Sequence, residues 1–133
     1  MKVVVDTNVL VSGFFFAGAP SRILKAWKAG QLEPVMTADI FDEYREVLIR
    51  LSRKYSSVEV GALIDLIAVE IPIVKPRKLR KKVCNDVDDD KFFACALAAG
   101  IKIIISGDKH LLRESGTFDV VVLKPAEFVA SYL

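Results

Sequence analysis

Five short apolar runs punctuate the chain: Lys2–Asp6, Glu33–Met36, Ile71–Val74, Lys102–Ser106 and Asp119–Leu123. They are rich in valine and isoleucine and lack strict alternation, the pattern of strands buried on both faces of a parallel sheet. Between them, apolar residues recur at helical spacing. Ala19-Pro20-Ser21-Arg22 leading into Ile23, Leu24 and Trp27 predicts a helix that opens near a proline and stops at Gly30. Thr37 is a candidate N-cap, followed by a stripe of Ile40, Tyr44, Val47, Leu48 and Leu51. Val58–Val69 is a further amphipathic stretch, Asp89–Ala99 is apolar almost all round and ends at Gly100, and Pro125–Tyr132 is a short terminal helix. Strands alternating with helices predict an α/β fold, a three-layer sandwich around a central parallel sheet with right-handed crossovers. Lys75–Asp90 is the least core-like stretch and reads as a loop.

Length and composition narrow this picture. The 133 residues suit a single domain spanning 1–133, and 53% hydrophobic residues exclude a disordered chain. No run approaches the roughly 18 apolar residues of a membrane span, and Met1-Lys2-Val3-Val4-Val5-Asp6 does not read as a signal peptide. Cys84 and Cys95, the only cysteines, build neither a disulfide scaffold nor a zinc-ligand pair, which suits a reducing cytoplasmic setting. The net charge of +2 gives no reason to expect nucleic acid. Its distribution does. Six of the eight residues from Lys75 to Lys82 are basic, and four of the five from Asp86 to Asp90 are acidic. Lys78, Arg80 and Lys81 are therefore candidate contacts to a phosphate backbone.

Carboxylates mark the chemistry. Asp6 ends the first predicted strand and Asp108 follows the fourth, so both belong at the carboxyl edge of a parallel sheet, where open α/β folds place their sites. Either acid alone could merely cap the next helix. Glu43 lies three residues after Ile40 and four before Val47, on the apolar stripe, whereas Asp42 and Glu46 face the solvated side. A carboxylate facing a core needs a partner or a cation. In the acidic run, Asp89 aligns with Phe92, Phe93 and Ala96, although Asp90 fits nearly as well and Asp86 could share the role. Asp6, Glu43, Asp89 and Asp108 together form an oxygen-only set, which suits Mg²⁺ or Mn²⁺ rather than zinc. Such an ion can activate a water and stabilise displacement at phosphorus. His110, the only histidine, reads as a surface or helix-start residue, and Phe14-Phe15-Phe16 reads as core or dimer packing.

The residues also carry a family resemblance. Val3-Val4-Val5-Asp6-Thr7-Asn8-Val9-Leu10-Val11-Ser12 resembles the opening of a PIN domain, and Pro20–Trp27 resembles the first helix of its toxin-component subgroup. The block from Thr37 to Leu48, the block from Asp86 to Ala98 and Ile104-Ile105-Ser106-Gly107-Asp108-Lys109 are similar to the remaining motifs, in the same order. The resemblance implies about five parallel strands in the order 3-2-1-4-5 and a metal-dependent ribonuclease. It also implies a VapC-like toxin of a toxin–antitoxin pair, homodimeric and held by an antitoxin protein. Carried across, Asp6, Glu43, Asp89 and Asp108 become the catalytic and metal-binding quartet, with Asn8 orienting Asp6 or a water. Ser106 stands where the family commonly has threonine. Val87 replaces a frequent proline, and His110 stands where the subgroup often has aspartate. Two alternatives are a PIN-like module that binds RNA or a partner without cutting, and a phosphoacceptor receiver-type signalling domain. The latter would normally show two adjacent acids near the first strand and a late strand-end lysine.

Overall fold

The computed structural model describes residues 1–55 and 59–133. The first strand, β1 (Lys2–Val5), carries three buried valines and lies in the middle of a wholly parallel sheet. β2 (Glu33–Pro34) flanks it on one side, and β3 (Ile103–Ile105) with β4 (Val121–Leu123) on the other, giving the order β2-β1-β3-β4. The register sets Val5 opposite Ile105 and Ile105 opposite Leu123.

The expected third strand at Ile71–Val74 survives only as a single parallel bridge between Met36 and Ile73. The Met36 N–H donates to the Pro72 carbonyl and the Val74 N–H to the Met36 carbonyl. Prolines at 34 and 72 offer no N–H to extend the ladder. The segment nevertheless lies outside β2, so the five predicted runs take the order 3-2-1-4-5. A receiver-type sheet would set the third run beside the first. β4 starts two residues later than expected because Phe118 and Asp119 both adopt positive φ, which breaks the extended path before Val121.

Helices cover the sheet. α1 (Thr7–Phe15), α2 (Ala19–Lys28), α3 (Ala38–Ser52) and α4 (Val60–Glu70) precede the long loop. α5 (Asp90–Ala99), α6 (Lys109–Arg113) and α7 (Pro125–Tyr132) follow it. α1 packs on α2 and α3, α3 on α4, and α5 on β1 and β3. α1 was not predicted: its valines and phenylalanines resemble a continuing strand. Thr37 caps α3 as expected, its hydroxyl accepting the Ile40 N–H at 3.3 Å. The predicted start of the next helix at Val58 lies outside the described residues, and α4 runs from Val60. α5 buries Phe92, Phe93, Ala94, Cys95 and Ala96 in succession, so it is enclosed on nearly every side, and Gly100 ends it at φ 66°. Tyr44 ties α3 to the sheet, its buried hydroxyl donating to the Val5 carbonyl at 2.5 Å. Among the described residues, no single helix is long and apolar enough to cross a membrane.

Candidate active site

Because β1 and β3 are parallel neighbours, the chain leaves both on the same edge of the sheet, with Asp6 beside Ser106. The Asp6 N–H donates to the Ile105 carbonyl at 2.9 Å. Ser106, fully buried, donates its hydroxyl to Asp6 Oδ2 at 2.6 Å and accepts the Asp108 N–H at 3.0 Å. One serine thus fixes two acids. Asp6 stands at the N-cap of α1 but makes no side-chain cap hydrogen bond, so its carboxylate is not spent on the helix. Asp108 does cap α6, with Oδ1 accepting the His110 N–H at 2.8 Å.

Glu43 reaches the same edge from α3. Its Oε2 accepts the Thr7 hydroxyl at 2.7 Å and pairs with the Lys91 ammonium at 3.1 Å. Asp42 and Glu46 are exposed while Glu43 is half-buried, as the stripe predicts. In the acidic run, a short 3₁₀ turn (Val87–Asp89) precedes α5, and Asp86 caps it by accepting the Asp88 N–H at 3.0 Å.

Asp89 and Asp90 differ in their partners. Asp90 is buried, and its two oxygens accept the N–H groups of Val83 at 3.0 Å and Cys84 at 2.6 Å. It faces the loop. Asp89 is half-buried and makes no side-chain cap bond. Its carboxyl is held above its ordinary 3.8, first by burial and then by Asp108, Asp86 and Glu43, with Lys91 pulling the other way.

Asp6 shows the electrostatics most clearly. Only 7% exposed, its carboxyl is pushed from 3.8 up to about 6. Burial is the main cause, opposed by the Ser106 and Thr7 hydrogen bonds and reinforced by Glu43 and Asp108. Glu43 and Asp108 thus bear on both Asp6 and Asp89, which brings the four predicted acids to one sheet edge. Among the described residues, no three carboxylate, imidazole or thiol groups already close around a single point. The fit to a divalent cation is one of donor chemistry: four carboxylates, oxygen donors of the kind that Mg²⁺ takes.

Two contributors escaped the sequence reading, Thr7 and Lys91, which hold Glu43. Ser106 orients Asp6, and Asn8 is exposed in the first turn of α1. His110 is exposed. Lys78, Arg80 and Lys81 are also exposed, on a loop pinned by Asp90 and by the Arg77 N–H bound to the Ala94 carbonyl at 3.2 Å. A groove of about 540 Å³ lies elsewhere, between α2, α4 and the end of α1, lined by Phe14, Leu24, Trp27, Leu63 and Leu66. Phe14 and Trp27, half-buried and packed against the core, form part of the groove wall.

No curated protein matches this chain. The PIN domain model matches residues 2–110, from β1 to the first turn of α6 and across all four acids. PIN domains are typically nucleases, and the parallel order of the sheet agrees with their three-layer architecture. On that match over most of its length, the chain belongs to the PIN domain family.

Proposed function

We propose that the protein is a Mg²⁺- or Mn²⁺-dependent endoribonuclease acting in the cytoplasm, the toxin of a toxin–antitoxin pair, homodimeric and restrained by an antitoxin protein. The observation that carries this is the gathering of carboxylates at one sheet edge: Ser106 joins Asp6 to the Asp108 backbone, Glu43 and Asp89 lie close by, and burial above all raises the Asp6 carboxyl to about 6. A buried carboxyl held so far above its ordinary value marks a functional site. The toxin assignment draws support from the resemblance of Pro20–Trp27 to that subgroup.

Asp6, Asp89 and Asp108 would hold the cation, with Ser106 keeping the Asp6 carboxylate in place. When bound there, a divalent ion supplies Lewis-acid polarisation of a phosphoryl oxygen and makes a coordinated water more acidic. Glu43, steadied by Thr7 and Lys91, faces the same space and orients the attacking water through its carboxylate. Lys78, Arg80 and Lys81 offer cations to the flanking phosphates.

The test is cleavage of a mixed RNA pool with Mg²⁺, Mn²⁺ or chelator, with Asp6→Asn alongside. Cutting should need the metal and fall at least ~100-fold in the variant. Asp6→Asn protein that cuts as fast as the wild type would overturn the assignment. A second reading, an RNA-binding domain that does not cut, is favoured by the open spacing of the acids. RNA binding without metal-dependent cleavage would establish it.

A further inference from the structure

We infer that Lys91 is a positioning residue that acts as the site's built-in second cation, holding Glu43 so that Asp6, Asp89 and Asp108 are left to take one divalent ion. This role presupposes the metal-dependent reading above and adds the number of ions and the residue that sets it.

The geometry is specific. Lys91 lies in the first turn of α5, and its side chain is only 12% exposed. Its ammonium meets Glu43 at 3.1 Å and Asp88 at 2.9 Å, two carboxylates from separate parts of the chain. A surface lysine would keep its charge in water. This one is drawn inward between two carboxylates.

The two oxygens of the pair are unequal partners. The Asp88 side chain is 70% exposed, so solvent screens that contact heavily. The Glu43 side chain is 30% exposed, and its Oε2 already accepts the Thr7 hydroxyl. With Thr7 and Lys91 on the same oxygen, Oε2 is committed to the protein and Oε1 alone is left to meet a water. Asp89, by contrast, has no hydrogen-bonded partner for its carboxylate among the described residues.

The position of the ammonium points the same way. A second divalent ion at Glu43 would sit against the ammonium and be repelled by it. Removing the ammonium while keeping its aliphatic stem should therefore open a second divalent site.

The experiment is Mn²⁺ binding to the full chain without RNA, by equilibrium dialysis and titration calorimetry, on wild type, Lys91→Met, Lys91→Arg and the double variant Lys91→Met/Glu43→Gln. The inference expects one Mn²⁺ per chain for the wild type and for Lys91→Arg, two for Lys91→Met, and one again for the double variant. Thermal melts in chelator should show Lys91→Met weakened and the double variant restored, since the latter removes the charge left uncompensated. The double variant also serves where Lys91→Met alone does not fold. Two ions on the wild type, or one on a folded Lys91→Met, overturns the role of Lys91 and leaves the metal-dependent nuclease standing. No ion on any of the four overturns the metal-dependent reading itself and this inference with it.

Discussion

Replacing Asp6 by asparagine should inactivate the protein and at the same time make its metal-free form more stable. A carboxyl whose folded value lies above its unfolded value binds its proton more tightly when folded. Stability is then lost as pH rises from 3.8 towards about 6, and the whole penalty is present above that. At about 1.36 kcal/mol per pH unit the displacement costs ~3 kcal/mol at pH 7. Asp6 is almost wholly buried, so solvent screening removes little of this. Asparagine keeps the shape and an oxygen for the Ser106 hydroxyl but carries no charge. For 133 residues, ~3 kcal/mol corresponds to a rise in Tm of about 10 °C. The assay is thermal unfolding of both proteins in chelator from pH 4 to pH 7.5. The gap should be largest at neutral pH and close towards pH 4. Saturating Mn²⁺ should raise the wild type alone and narrow the gap, by ~2.7 kcal/mol at one hundred times Kd. An asparagine variant no more stable at pH 7, or a gap indifferent to pH, would refute the account of Asp6.

Other substitutions probe the frame around the site. Gly13→Ala should destabilise by ~1–3 kcal/mol despite better helix propensity, because a Cβ there would lie 2.6 Å from Leu24 Cγ and 2.8 Å from the Pro20 carbonyl; chemical denaturation measures it. Asp90→Ala strips the acceptors from two backbone N–H groups and should cost ~2–4 kcal/mol, with faster amide exchange at Val83 and Cys84. Lys78→Ala/Arg80→Ala/Lys81→Ala should weaken RNA binding and flatten its salt dependence; an unchanged slope removes these residues from the interface. Burial pushes the Cys84 and Cys95 thiols up to about 12, so both should resist a thiol reagent at pH 8 until the protein unfolds.

How far the sequence revealed these features depended on the range of the forces involved. The parallel sheet was readable because valine and isoleucine runs buried on both faces need no alternation. Helix α1 was not, since Thr7–Phe15 is poor in helix formers and is held by packing on α2 and α3, which no local window contains. The quartet emerged from strand ends and one helical stripe, both short-range patterns. Asp89 and Asp90 could not be told apart by phase because a 3₁₀ turn precedes α5 and shifts the helical count; their hydrogen bonds distinguish them. Lys91 is not legible as part of the site from local pattern because its partner Glu43 is 48 residues away in the chain.

The division of labour between Asp89 and Asp90 has a mechanical consequence. One carboxylate looks toward the acidic edge while its neighbour grips the backbone that carries the cations. On the nuclease reading, a single peptide unit is then the gauge between the place where the strand is anchored and the place where it is severed. Lengthening the loop ahead of Val83 would leave that gauge untouched, whereas inserting one residue between 89 and 90 would recalibrate it.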